Sequence, residues 1–155
     1  MSETNQSKKT LLILDGFAMI FRVFYSRQPM VSSTGVTTTV VQGFLSILFK
    51  LIKETKPSHI ILALDSKGPT FRHEQYPEYK AGREPAPPEL TEQIPTLEKV
   101  IEAFNIPIHN VEKYEADDII GTIALDAYSE GFNTVVVSGD KDLFQLINDK
   151  TSIWY

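Results

Sequence analysis

The chain contains no cysteine. Disulfide frameworks, zinc fingers, iron–sulfur clusters and thiol nucleophiles are therefore excluded. Histidine is scarce, and His59, His73 and His109 stand far apart with no metal-ligand spacing. Any metal must be held by carboxylates, which favours Mg²⁺ or Mn²⁺ over Zn²⁺. No apolar run approaches the ~20 residues of a membrane span. The polar stretch Met1–Lys9 has no signal-peptide core and reads as a disordered lead-in. The expected location is the cytoplasm, with no membrane partner. No repeat of solenoid period is present. Positive charge is also in short supply, with 15 Lys and Arg against 20 Asp and Glu, a net −5. Such a balance argues against a nucleic-acid partner unless the acids are concentrated in one place.

What remains is an ordinary globular composition, 155 residues of which 42 % are apolar, and it predicts one domain from residue 10 onward. Thr10–Leu14, His59–Leu64 and Thr134–Ser138 are short apolar runs that predict buried strands, with shorter candidates at Ile106–Val111 and Thr151–Tyr155. Between them lie helical patterns. Gly16–Tyr25 is apolar nearly all round, which predicts a buried helix. Val41, Phe44, Leu48 and Ile52 mark a helix over Thr38–Glu54 that ends before Pro57. Leu90 to Phe104 is amphipathic, with Pro95 set to kink or restart it. Glu115–Glu130 is a helix stopped by Gly131, and Leu143–Ile147 is a short one. This alternation predicts an α/β fold, a mainly parallel sheet with helices on both faces. Ligands of such sheets bind beyond the carboxyl ends of the strands.

The acids fall at those ends. The three strongest strands run into Asp15, Asp65 and Asp140. One such Asp is ordinarily a helix cap or a turn former. Three on one edge place three carboxylates at one rim. The strand candidate before Tyr114 leads into Glu115, Asp117 and Asp118 at the start of a helix, and Asp142 follows Asp140. A helix dipole favours one acid in a first turn by roughly 0.3–1 kcal/mol, but three acids there repel one another. Seven clustered carboxylates cannot all stay ionised without cations. Two Mg²⁺ ions about 3.5–4 Å apart would compensate them and could activate a water against a phosphodiester.

Ser66–Pro88 differs from the rest. It holds five of the nine prolines, the cations Lys67, Arg72, Lys80 and Arg83, and the aromatics Phe71, Tyr76 and Tyr79. Cations interleaved with rings suit a single-stranded or splayed nucleic acid. A solvated loop with a few packed rings is the plainer alternative. The segment leaves directly from Asp65, so it overhangs the acidic rim. Arg22, the one charge within Phe17–Tyr25, is either paired with the acids or available to a phosphate. Lys141 is expected on the surface.

With these pieces assembled, the chain resembles the 5′ nuclease domains of bacterial DNA polymerases I, members of the flap-endonuclease superfamily with a PIN-like core. LLILDGFAMIFRVFYS, ALDSKGPTFRHEQYPEYKAGR, YEADDIIGTIA and VSGDKDLFQL stand in the family's order and spacing. The resemblance implies that Asp15, Asp65, Glu115, Asp117, Asp118, Asp140 and Asp142 organise two Mg²⁺ ions, with Mn²⁺ able to substitute. It implies a helical arch over about residues 66–92, whose Lys80 and Arg83 steady the scissile phosphate and whose Tyr79 stacks on a terminal base. Arg22 and Arg72 are read as substrate-binding cations. The implied reaction is hydrolysis of DNA or RNA at 5′ ends and 5′ flaps, in primer removal and repair, by a monomer. The implied partners are 5′-flap DNA, DNA 5′ ends and RNA primers on DNA, with a covalent continuation into a polymerase in a longer parent. The family's helix–three-turn–helix element, which grips duplex DNA, and two further aspartates lie beyond Tyr155. The chain is accordingly read as an excised fragment, a shortened homologue or one piece of a split protein.

Two other classes of function stay open. One is a weakly catalytic or non-catalytic module binding single-stranded or branched DNA. The other is a PIN-type ribonuclease. A haloacid-dehalogenase-like phosphatase also starts from a strand-end Asp, but it needs an acid two residues on, where Phe17 stands.

Overall fold

The computed structural model describes residues 9–155, so all but the last residue of the expected disordered lead-in lies outside the described residues. Five strands form one sheet: β1 (Thr10–Asp15), β2 (His59–Ala63), β3 (Ile108–His109), β4 (Asn133–Val137) and β5 (Thr151–Trp154). All neighbours run parallel, in the order β3-β2-β1-β4-β5. The helices are α1 (Gly16–Ser26), α2 (Thr39–Thr55), α3 (Phe71–Gln75), α4 (Pro88–Thr91), α5 (Ile94–Ala103) and α6 (Ala116–Ser129). A 3-10 helix spans Lys141–Leu146. None of these helices is long and apolar enough to cross a membrane.

Alternation along the strands sorts the core into two layers. Leu12, Leu14, Leu62, Leu64 and Val137 face one side and pack with Met19 and Ile20 of α1, Phe44 and Leu48 of α2, and Leu97 and Ile101 of α5. Leu11, Ile13, Ile61, Ala63 and Val136 face the other side and meet Ile119, Ile120 and Ala124 of α6. A sheet covered on both faces explains why its central strands read as unbroken apolar runs. The chain builds outward from β1 to β3, then crosses through α6 to β4 on the far side of β1. The strand order therefore reverses between β1 and β4, where parallel sheets open a crevice.

Local signals set the element ends. Lys56 closes α2 in the left-handed conformation, donating its N–H to Ile52, and Pro57 follows. Pro95 sits in the first turn of α5 and separates it from α4, so the amphipathic stretch is two helices. Helix α1 departs from the expected burial. Met19, Ile20 and Val23 are buried, but Tyr25 is 69 % exposed. Phe17, Phe21 and Tyr25 line up one turn apart with ring centroids 6.4 and 6.2 Å apart. Phe17, Phe21 and Phe24 are half-buried against the core, and Tyr25 is the ring of this helix left largely exposed. Residues 66–92 hold α3 and α4, joined by turns.

The helices α1 and α2 cross closely at Gly43. A methyl group there would collide with the buried Val23 side chain and lie 3.1 Å from Arg27. Gly43→Ala is expected to destabilise the fold by about 1–3 kcal/mol, an overpacking cost. Urea unfolding checks this, and an unchanged midpoint would mean that the crossing is loose.

Candidate metal centre

The rim of the sheet gathers the acids because three helix starts converge on it. Asp15 ends β1 and caps α1, its Oδ1 accepting from Ala18 N at 3.2 Å. Its Oδ2 accepts from the Ser138 hydroxyl at 2.6 Å. Ser138 also accepts from Asp140 N at 3.0 Å, so one buried hydroxyl ties the ends of β1 and β4 together. Asp140 caps the 3-10 helix through Asp142 N at 2.8 Å. Asp65, just past β2, reaches across to α6, where its Oδ1 accepts from Ala116 N at 2.7 Å. Asn110 holds the Asp65 carbonyl at 2.7 Å. Glu115 is the residue at which α6 begins. The ordinary reading of a strand-end Asp as a cap thus holds at Asp15 and Asp140, and both caps stand on one rim.

Six of the seven acids named from the sequence line a single cavity of about 460 Å³: Asp15, Asp65, Glu115, Asp117, Asp140 and Asp142. Phe17 and Phe21 line it from α1, and Tyr79, Lys80 and Arg83 from the proline-rich segment. Asp118, Arg72 and Arg22 do not. A larger hollow of about 690 Å³ lies beside β3, but its walls mix Lys67 and Lys113 with Glu74, Glu98, Glu102 and Glu112, and none of the strand-end aspartates reaches it.

Crowding shows in the acidities. Burial holds the Asp15 carboxyl above its usual range, and the hydrogen bonds from Ser138 and Ala18 offset this only in part. Burial, together with Asp15, Asp140, Asp65 and Glu115, pushes Asp117 up to about 6. Two of the acids are instead matched by cations of the proline-rich segment. Lys80 Nζ lies 2.8 Å from Glu115 Oε1, and the Tyr79 hydroxyl donates to Glu115 Oε2 at 3.2 Å. Burial opposes the charge on Lys80, yet Glu115 outweighs it and holds the ammonium above its ordinary pKa. Lys80 takes a left-handed backbone conformation, φ 58°, in a tight turn closed by Arg83 N on its carbonyl. That conformation is disfavoured for a side-chain-bearing residue, and such strain is held where surroundings demand it. Arg72 grips Asp118 through two bonds of 2.7 Å, and this bridge holds the Asp118 carboxyl below its usual range. Arg83 is exposed on the cavity wall. Arg22 is exposed, with its guanidinium 5.5 Å from the Trp154 ring centre. Among the described residues no three acids or histidines stand as a ready-made shell for one ion. The cavity donors are nonetheless all carboxylate oxygens, of which only Glu115 is matched by a cation among the described residues, and this fits a hard divalent cation.

Ser138 and the ring pair Phe17–Phe21 carried no role in the sequence analysis. Ser138 could have been found only as the residue between a strand end and an acid.

A family model described as the 5′-3′ exonuclease N-terminal resolvase-like domain matches residues 10–155. The chain belongs to this family. Relatives of this 5′-3′ exonuclease domain include DNA polymerase I of Bacillus subtilis (strain 168), 44 % identical over 146 residues, with 94 % of this chain and 17 % of that protein covered. DNA polymerase I of Mycobacterium tuberculosis (strain H37Rv) is 39 % identical over 153 residues, again with 17 % of its length and with 97 % of this chain covered. The exonuclease-domain chain thus spans about a sixth of these polymerases. Among solved structures, the T5 D15 protein co-crystallised with metal ions superimposes with a TM-score of 0.71 at 24 % identity, covering 94 % of this chain and 54 % of that one. T5 5′-exonuclease with bound zinc gives 0.69, likewise at 24 % identity, covering 94 % and 55 %. This likeness shows that the fold is shared.

The raised pKa of Asp117 has a direct consequence. The folded chain binds this proton more tightly than the unfolded one, so stability from this group falls as pH rises from about 4 to about 6. Without divalent ions, Asp117→Asn should therefore raise stability at pH 7.5 by about 1–2 kcal/mol, allowing for its partial exposure. It should change little at pH 4. Thermal melts in chelator at both pH values check this, and equal effects at the two would remove charge crowding as the cause.

Proposed function

We propose that this chain is the catalytic core of a metal-dependent, structure-selective 5′ nuclease. It would hydrolyse phosphodiesters at DNA 5′ ends and 5′ flaps, and at RNA primers on DNA, in primer removal and repair. The observation that supports this best is the cavity itself, with six carboxylates on one wall and Tyr79, Lys80 and Arg83 on the other. An acidic wall holds cations, and a basic and aromatic wall holds a phosphate chain and its bases.

Asp15, Asp65, Glu115, Asp117, Asp140 and Asp142 would hold two Mg²⁺ ions, or Mn²⁺ in their place. Such ions supply an activated water and charge for the leaving oxygen. The protein's part is then positional. Ser138 and the Ala18 amide orient Asp15, and the Ala116 amide orients Asp65. Lys80 and Arg83 bring positive charge to the phosphate as negative charge develops on it. Phe17 and Phe21 exclude water from one side. Tyr79 offers a ring for an unpaired base. Arg22 supplies a cation to the substrate backbone outside the cavity. Lys80 rests on Glu115 and would turn from that carboxylate to a phosphate when substrate binds.

A second reading, a module that binds branched DNA with little cleavage, draws on Lys80 being occupied by Glu115. A labelled 5′-flap DNA separates the two. Mg²⁺-dependent cleavage that chelator abolishes is expected. Asp140→Ala should remove it, and Lys80→Ala should lower turnover by about 10²–10³-fold with a much smaller change in affinity. Salt-dependent binding without cleavage at any excess of chain would establish the second reading.

A further inference from the structure

Asp118 sits in the same first turn of α6 as Asp117, but it does not line the cavity of the strand-end aspartates; with Arg72 it lines an adjoining hollow of about 580 Å³ that Glu115, Asp117 and Asp142 also reach. Both of its oxygens are used elsewhere. Oδ1 and Oδ2 each accept a 2.7 Å bond from the Arg72 guanidinium, and Oδ2 also accepts from Glu115 N at 3.0 Å. Arg72 is the second residue of α3, the first helix of the proline-rich segment. Its guanidinium also lies 3.4 Å from Glu115 Oε2 and 4.6 Å from the Phe71 ring centre. Other contacts tie the same helix to the same loop. Phe71 N donates to Lys113 O at 3.0 Å, the Phe71 and Tyr114 rings are 5.6 Å apart, and Lys113 pairs with Glu74 at 2.9 Å. Within α3, His73 packs edge-on against Tyr79 with centroids 5.3 Å apart, and Tyr79 and Lys80 reach Glu115.

We infer that Asp118 is not an ion ligand of the cavity but a positioning residue, which with Arg72 clamps the base of the 66–92 segment to α6 and so aims Tyr79 and Lys80 at the acidic wall. A planar guanidinium meeting a carboxylate through two parallel bonds fixes orientation as well as distance. Asp118 spends both oxygens on that fork, whereas Asp117, one residue earlier, faces the cavity with its charge uncompensated. The ion-binding arm of this inference rests on the nuclease reading above, and the clamp itself does not.

The test uses the metal-free chain and Mn²⁺ as the probe. Free Mn²⁺ is followed by electron paramagnetic resonance for the wild type, Asp117→Asn, Asp118→Asn and Arg72→Met. Asp118→Asn is expected to keep Mn²⁺ affinity within about threefold, and Asp117→Asn to lose at least about tenfold. Amide hydrogen exchange of residues 71–83 reads the clamp, with thermal melts confirming that each variant folds. Arg72→Met and Asp118→Asn should each speed exchange there by about tenfold, the double variant by no more than either alone. The charge-swapped pair, Arg72→Asp with Asp118→Arg, should recover part of the protection, which no ion-ligand role provides. Additive exchange effects, or Mn²⁺ affinity lost in Asp118→Asn as in Asp117→Asn but kept in Arg72→Met, would overturn the inference. Should the wild type take up no Mn²⁺, the nuclease reading falls, and the exchange measurements still decide the clamp.

Discussion

Like charges repel, and everything at the edge of this sheet is arranged around that fact. Parallel strands that end on one edge bring the residues at and just past their ends together, and here those residues are Asp15 at the end of β1, Asp65 two residues past β2 and Asp140 three past β4. The fold tolerates them by giving each an N–H or O–H donor: Ala18 and Ser138 for Asp15, Ala116 for Asp65, Asp142 for Asp140. Helix starts are the natural source of such donors, because their first amides have no partner within the helix. The rim is therefore a place where helix starts and strand ends satisfy each other, leaving carboxylate oxygens aimed at open space. Asp117 carries the remaining strain, and its shifted acidity records it.

The proline-rich segment answers the same repulsion from the other side. Lys80 and Arg72 bring positive charge to Glu115 and Asp118 in different ways. Lys80 stands in a strained turn on the cavity wall and makes one bond to Glu115. Arg72 sits outside and makes a rigid fork. A single ammonium contact is easily exchanged for another anion, and a two-pronged one is not. The segment is thus fixed at its root and adjustable nearer its tip.

Most of the fold was legible in the sequence because it rests on local signals. Unbroken runs such as TLLIL and TVVVS reveal strands buried on both faces, and Pro95 and Gly131 mark a break and an end. The rim of acids was legible for the same reason, since each strand run is followed directly by its Asp. What stayed hidden were pairings between distant residues. Nothing local distinguishes Asp118 from Asp117, yet one turns to Arg72 and the other to the cavity. Ser138 looks like any residue before a turn, and only the neighbouring of β1 and β4 gives it Asp15 as a partner. The exposure of Tyr25 on α1 stayed hidden as well, because an apolar composition does not say which rings will find a covering layer.

Consider how a ribosome would deliver this rim. The Ala116 amide is capped by Asp65, 51 positions earlier, and Asp15 waits for Ser138, 123 positions later. A nascent chain that has emerged only as far as α2 holds Asp15 with half its donors missing. The cavity closes only after β4 slides in beside β1. Asp15, the acid nearest the N-terminus, thus waits longest for its second donor.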